Sequence, residues 1–162
     1  MRYRSVIALA VILPLASGCD GTAASDEVTE FSVALMGDLE RSYEGDGARY
    51  TPPELIFLNT RDGGPGTLSV TLSFYGGGEE PAVGTYPVLA GGPGDVPADA
   101  PDAWFFALVV VDGGIVLQSV SGEITVTESG RVLAATGEIA LAGLSDADPD
   151  DVDAQISFRA IR

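Results

Sequence analysis

Five aspartates within eight positions form the densest group of candidate metal ligands in the chain. They are Asp146, Asp148, Asp150, Asp151 and Asp153, in a stretch between two predicted strands. Carboxylates at alternating positions can converge on a hard cation, and Ca²⁺ takes oxygen ligands of this kind. The stretch departs from an EF-hand loop, because Asp151 stands where that loop needs glycine and Ser157 replaces the final glutamate. The pattern therefore predicts either a Ca²⁺ site or a solvated acidic loop.

Other catalytic chemistry lacks the residue types it needs. The chain has no histidine and no lysine, and Cys19 is its only cysteine. Serine–histidine, cysteine–histidine and Schiff-base catalysis are therefore excluded, and a zinc site has no soft ligands. Glycoside hydrolysis by two carboxylates needs only acids, but no pattern selects two of the 24 acidic residues. We expect no enzyme activity and no cofactor apart from the candidate Ca²⁺.

The single cysteine follows a segment typical of a secretory signal. Arg2 and Arg4 give a positively charged start, an apolar run covers residues 6–13, and small residues precede the cysteine. The apolar run is too short to cross a bilayer, which takes about 20 residues. These features predict a signal peptide over residues 1–18 that is removed from the mature protein.

The sequence Leu15-Ala16-Ser17-Gly18-Cys19 resembles the lipobox of bacterial lipoproteins. In that family the cysteine thiol receives a diacylglyceryl group, and cleavage leaves the cysteine as the new first residue. The resemblance covers residues 1–20, and the family more often has leucine where Ala16 stands. It implies lipidation of Cys19. Residues 20–29 are polar and have too little apolar content to pack, which predicts a flexible tether over residues 19–29. The resemblance also implies anchoring to the inner or outer membrane of a bacterial cell envelope, facing the periplasm or the exterior.

The charge balance restricts the partners of the mature chain. The full chain has eight basic residues, and loss of Arg2 and Arg4 leaves six against 24 acidic residues, a formal charge of −18. Such a surface lacks the basic footprint that nucleic acid requires. It also repels anionic headgroups, so membrane contact must come through the lipid on Cys19.

Residues 30–162 alternate short apolar runs with glycine- and proline-rich turns, which predicts one all-β domain. The expected architecture is an antiparallel β-sandwich or a small β-barrel of about eight or nine strands. The predicted strands cover 31–39, 55–58, 68–74, 85–88, 104–111, 115–127, 133–141 and 156–160. The run at 104–111 is apolar throughout and should be covered on both faces. Pro87 restricts the strand at 85–88 to an edge.

The strand from Ile115 to Thr127 has an irregular apolar pattern. Val116, Val120, Ile124 and Val126 are predicted to share one face, with Ile115 and Leu117 breaking the alternation, so a bulge is expected near the preceding turn. On the following strand, Leu133, Ala135, Ile139 and Leu141 are expected to face inward.

The segment Ser121-Gly122-Glu123-Ile124-Thr125-Val126-Thr127, with Thr136-Gly137-Glu138-Ile139 after it, is similar to a late hairpin of small all-β envelope lipoproteins. The likeness covers about 30 residues. It implies a type of fold and no activity.

Three functions are compatible with these patterns. The leading hypothesis is a lipid-anchored β domain of the cell envelope with a non-enzymatic binding or structural role. A lipocalin-like carrier of a small apolar ligand is an alternative if Trp104, Phe105 and Phe106 line a pocket instead of packing in the core. A Ca²⁺-dependent adhesion or carbohydrate-binding module is another, based on the aspartate stretch. The partner, whether protein, glycan or small molecule, is left open.

Overall fold

The computed structural model describes residues 28–53, 55–60, 66–91 and 96–162. These residues form ten β-strands and no helix. The strands are β1 Glu30–Gly37, β2 Arg41–Gly45, β3 Ala48–Thr51, β4 Leu55–Asn59, β5 Leu68–Tyr75, β6 Gly84–Leu89, β7 Trp104–Val111, β8 Ile115–Glu128, β9 Val132–Gly143 and β10 Val152–Ile161. The prediction of an all-β domain is confirmed for the described residues.

The strand count is higher than the eight or nine expected, because β2 and β3 had not been predicted. They have five and four residues, and each contains an arginine and only one or two positions that face the core. Such short segments contain too few residues for an alternation with a period of two to be detected. The turn that separates them, at Asp46 and Gly47, lies where the glycine-rich sequence predicts one.

All ten strands belong to one sheet, and nearly all of its pairings are antiparallel. The pairings run from β10 through β9, β8, β7, β5, β4 and β3, and a parallel pairing of Arg49 with Ile161 returns to β10. The circuit of neighbouring strands is therefore closed. β1 lies beside β10 and carries β2 at its other edge.

β8 is the longest strand, and two different strands share one of its edges. Its first residues pair with β7, and its later residues pair with β6 along the whole length of β6. β6 meets β7 only where Val88 lies beside Phe105. One edge of β6 is therefore largely unpaired among the described residues, in agreement with the expectation that Pro87 restricts its strand to an edge.

The core is a single cluster to which every strand contributes. Inward-facing residues alternate with outward-facing ones, as in Leu68, Val70, Leu72 and Phe74 of β5. On β9 the four residues expected to face inward are all buried. β7 differs from its prediction, because its outward-facing side chains Phe106, Leu108 and Val110 are only half-buried.

The predicted face of β8 was wrong in its first half. Leu117 and Ser119 point into the core, and Val120 is 49% exposed. The bulge lies between Ser119 and Ser121, further from the turn than expected, and a second irregularity lies between Val126 and Glu128. Val120 is the extra residue at the first bulge, so the side-chain alternation reverses there and Ile124 and Val126 return to the core.

Candidate binding surface

The outward face of β6, β8, β9, β10, β1 and β2 carries a row of hydroxyl side chains in direct cross-strand register. The row runs through Thr85, Thr125, Thr136, Ser157 and Ser32, and it ends at Glu44. Neighbouring strands lie about 4.8 Å apart, so the row presents one polar group at that spacing across six strands. The hydroxyls of Thr85 and Thr125 lie 2.9 Å apart. Core residues precede and follow Thr125, Ser157 and Ser32 in their strands, which fixes the row on the solvent side.

A second row of polar groups lies two residues further along these strands. Glu123 on β8 is directly opposite Glu138 on β9, and Glu138 is directly opposite Gln155 on β10. All three side chains are exposed. Like charges directly opposite each other across a strand pair are destabilising. Among the described residues, neither glutamate has an ion-pair partner.

Three adjoining grooves, of about 580, 630 and 490 Å³, cover this face. The first two share lining residues at the hydroxyl row, including Ser32, Thr136 and Ser157. The first and third share Glu123, Glu138 and Gln155. Together they form one open trough parallel to β1 and β10, which we call the polar trough. From Glu30 to Met36 it extends about 20 Å, at roughly 3.3 Å per residue.

The two ends of the polar trough differ in chemistry. At one end Arg159 of β10 forms an ion pair with Glu128 of β8, and Glu30 lies in register beside Arg159. At the other end Asp153 lies between Ala140 and Met36. Met36 is 40% exposed. Among the described residues, Met36 is the only large apolar side chain at an outward position of the trough. The other apolar residues at its outward positions are alanines.

Two glycines allow β8 and β9 to approach closely under the opposed glutamates. Gly122 has φ +142°, and a Cβ there would lie 2.8 Å from Ile139 Cα. A Cβ on Gly137 would lie 2.8 Å from the carbonyl oxygen of Glu123. Both positions exclude a side chain, since real Cβ atoms do not approach other atoms so closely. The glycines therefore position Glu123 and Glu138 by permitting this register.

The aspartate stretch forms the exposed connection from β9 to β10. Asp148 accepts hydrogen bonds from the backbone nitrogen and the hydroxyl of Ser145, at 3.2 and 2.8 Å. The carbonyl of Asp151 accepts a hydrogen bond from the backbone of Asp38, and Asp153 lies on β10. Asp146 and Asp150 are exposed. Within the described ranges no three carboxylates come together as a group that could coordinate a metal ion. The Ca²⁺ site stays a prediction.

The aromatic residues considered for a ligand pocket make packed contacts. Trp104 is 3% exposed and stacks on Tyr75 with ring centroids 4.2 Å apart. Phe105 is fully buried, 5.0 Å from the ring of Phe74 and 5.8 Å from that of Tyr86. Phe106 points outward from β7 and is half-buried. These contacts favour the core interpretation of Phe105, whereas Trp104 is buried but does not belong to the core cluster.

Three further hydroxyl side chains, those of Ser119, Tyr43 and Tyr50, are buried, and Tyr43 also lines the first groove of the trough. Ser119 is fully buried; its hydroxyl accepts a hydrogen bond from the backbone nitrogen of Ala107 and donates one to the carbonyl of Leu89. The hydroxyl of Tyr43 is buried and has no hydrogen-bond partner among the described residues. Burial, followed by the charge of Asp112, raises its pKa. Burial, followed by the charge of Glu80, raises the pKa of Tyr50 to about 12.

The sequence patterns did not identify the polar trough. Each strand that carries it was expected, apart from β2, but its outward residues become one surface only when the cross-strand register is known. The available signal was the placement of serine, threonine and glutamate at alternate positions of β1, β8, β9 and β10. That pattern is also what any half-exposed strand shows.

The signal peptide, Cys19 and most of the tether lie outside the described residues. The described ranges contain no helix with the length and apolarity that crossing a bilayer requires. Comparisons with protein-family models, with curated proteins and with solved structures found no match.

Proposed function

We propose that this chain is a lipoprotein of the bacterial cell envelope, anchored through Cys19, and that it acts as a non-enzymatic binding module. Its binding surface is the polar trough. The observation that carries the proposal is the register of the trough, which aligns hydroxyl, carboxylate and amide groups from five strands on one open face. Such groups are the ones that orient a polar ligand in a binding site.

The anchor is supported by the residues before the domain. A charged start, an apolar run and small residues lead to the only cysteine of the chain. Two acyl chains give stable membrane attachment where one does not. The tether over residues 19–29 would keep the domain within about 40 Å of the bilayer, at 3.3 to 3.6 Å per residue.

A binding role is favoured over catalysis by the residue types available. The chain has no histidine or lysine, and the trough is open to water along its length, whereas catalytic sites generally exclude water.

Within the expected fold types, the closed circuit of strand pairings supports a small barrel. A lipocalin-like carrier receives less support, because Trp104 and Phe105 pack against other aromatic rings.

The binding role is tested by blocking the trough. Thr136 is exposed at its centre, and Thr136→Tyr places a large side chain over the groove. The matched control is Thr51→Tyr, at an exposed position of β3 outside the trough. The full chain, purified in detergent, is sedimented with isolated peptidoglycan and with extracellular polysaccharide.

We expect wild type and Thr51→Tyr to sediment with one of these polymers and Thr136→Tyr to remain in solution. Equal sedimentation of both variants would reject the trough as the binding surface. The anchor is tested separately by incorporation of labelled palmitate, which Cys19→Ser should abolish. Retained label in that variant would reject lipidation at Cys19.

A further inference from the structure

The geometry points to the ligand class of the polar trough: we propose a polysaccharide that carries free amino groups and lies along the strands. The inference rests on the trough being the binding surface, as proposed above. Its distinguishing contact is the capture of ammonium groups by the opposed pair Glu123 and Glu138. Three features of the trough lead to this ligand.

The first feature is the charge of the lining. Glu30, Glu44, Glu123, Glu138 and Asp153 lie along the trough, and the cation that lines it, Arg159, is already paired with Glu128. An anionic polymer in the trough would be repelled by these carboxylates, and no unpaired cation among the described lining residues would offset the repulsion. The trough therefore disfavours nucleic acids, phosphate polymers and acidic polysaccharides, since like charges placed together cost binding free energy.

The second feature is that the trough lies on the face of the sheet and not along an edge. Backbone groups on this face are already engaged in the pairings of β8, β9, β10 and β1. An extended peptide binds a sheet chiefly by adding main-chain hydrogen bonds at a free edge. A glycan instead forms hydrogen bonds through hydroxyl groups, and serine, threonine, glutamate and glutamine side chains supply matching donors and acceptors. At the outward positions of the trough within the described residues, the apolar side chains are alanines and Met36, which offer little contact to the apolar side chains of a peptide.

The third feature is the unrelieved repulsion between Glu123 and Glu138. The two residues are directly opposite each other, both are exposed, and within the described part of the chain no arginine pairs with either. A cation placed between two carboxylates relieves their repulsion and forms charge-assisted hydrogen bonds with both. A primary ammonium suits this position because it donates three hydrogen bonds. Amino groups repeated along a polymer would let adjacent sugars occupy the hydroxyl row at the same time.

The experiment compares three oligosaccharides of equal length by isothermal titration calorimetry with the full chain in detergent. They are a β-1,4-linked glucosamine oligomer, its fully N-acetylated counterpart and an alginate oligomer. We expect the glucosamine oligomer to bind at least ten-fold more tightly than the acetylated one, and alginate to give no measurable binding. Equal affinity for the first two, or no binding by any of the three, would overturn the inference.

The variant Glu123→Gln/Glu138→Gln keeps the shape of both side chains and removes their charge. It should bind the glucosamine oligomer at least ten-fold more weakly than wild type and bind the acetylated oligomer unchanged. Its melting temperature should rise, because the repulsion is removed, which also shows that the variant folds. The matched control is Asp99→Asn/Asp102→Asn, which alters the net charge equally at exposed positions outside the trough.

The control separates specific capture from general attraction between an acidic protein and a polycation. We expect it to retain affinity within two-fold of wild type. An equal loss in both double variants would overturn the proposed role of the glutamate pair. The glucosamine oligomer could fail to bind the wild type while Thr136→Tyr still abolishes sedimentation with a polymer. That result would reject this ligand class and leave the binding role of the trough intact.

Discussion

The hydroxyl oxygen of Ser119 lies 3.1 Å from the backbone nitrogen of Ala107 and 2.7 Å from the carbonyl oxygen of Leu89. These two partners belong to β7 and β6, the strands that share one edge of β8. Ser119 lies between the part of β8 that pairs with β7 and the part that pairs with β6. Its side chain therefore supplies the hydrogen bonds that regular strand pairing cannot make where the edge of β8 changes its partner from β7 to β6.

The first prediction concerns this hydroxyl. Ser119→Ala should lower the free energy of unfolding by about 2 kcal/mol, because it leaves a buried N–H and a neighbouring carbonyl without a partner. Urea denaturation followed by tryptophan fluorescence measures the change. Ser121→Ala, at an exposed position just beyond the bulge, is the control and should stay within about 0.5 kcal/mol of wild type. A neutral result for Ser119→Ala would mean that water or a shifted strand replaces the hydroxyl.

A second prediction compares two tyrosine hydroxyls. Within the part of the chain that the structure describes, the buried hydroxyl of Tyr43 has no hydrogen-bond partner, whereas that of Tyr86 donates to the carbonyl of Ala82 at 2.9 Å. Tyr43→Phe should stabilise the fold by up to about 1 kcal/mol, since an unsatisfied buried hydroxyl carries a desolvation cost. Tyr86→Phe should destabilise it by about 1 kcal/mol. Equilibrium unfolding of both variants tests the pair, and a loss of stability in Tyr43→Phe would show that its hydroxyl is bonded after all.

Alkaline pH gives a third prediction. Burial, followed by the negative charge of Glu80, raises the pKa of Tyr50 from 10.0 to about 12, and Arg162 opposes this rise. The unfolded chain then loses the tyrosine proton at lower pH than the folded chain. The stabilisation is complete below pH 10 and is lost as the pH rises from 10 towards 12.

The urea midpoint should therefore fall over that interval, in step with a late rise in tyrosinate absorbance. Tyr43, whose pKa is also raised, contributes in the same direction. Tyr50→Phe should reduce the slope of the midpoint against pH. An unchanged slope in that variant would assign the alkaline transition to other groups.

The fourth prediction concerns the glycine at the start of the trough floor. Gly122→Ala should destabilise the fold by about 3 kcal/mol, because φ is +142° and the new Cβ would collide with the backbone of Glu138 and Ile139. Gly114→Ala is the control, since nothing lies within 4 Å of a Cβ there. Thermal unfolding distinguishes the two variants. Similar melting temperatures would show that β9 can move away from β8 without loss of stability.

A fifth prediction addresses the aspartate connection. Asp148 is hydrogen-bonded to Ser145, so Asp148→Ala should lower stability by about 1 kcal/mol in the absence of metal. The Ca²⁺ site expected from the sequence is checked by comparing the wild-type melting temperature in millimolar CaCl₂ with that in MgCl₂ at matched ionic strength. A calcium-selective rise would support the Ca²⁺ site predicted from the sequence.

Much of the fold followed from side-chain alternation, and the exceptions have physical causes. The period of two in β5 and β9 identified both the strands and their inward residues, because these strands are long and have one polar face. β2 and β3 were missed because four or five residues give too few repeats of that period. The face of β8 was misassigned because a bulge adds one residue, and nothing in the sequence marks Val120 as that residue.

The candidate surface was less predictable than the fold. Glu123 and Glu138 are 15 positions apart in the sequence and become neighbours only through the β8–β9 pairing. That register depends on the bulge at Val120 and on Gly122 and Gly137, which accept a close approach of the strands. The aspartates, by contrast, are close in sequence, and within the described ranges no three carboxylates come together as a group that could coordinate a metal ion.

The alternation of core and trough positions along β1, β8, β9 and β10 also bears on how this protein can change. Outward residues of the trough such as Ser32, Thr125, Gln155 and Ser157 lie between two core residues. Single substitutions can therefore alter ligand preference with little effect on folding, whereas a one-residue insertion or deletion within these strands would exchange the two faces. The trough is for that reason a surface that evolution or protein engineering can diversify by point mutation, provided that strand lengths are preserved.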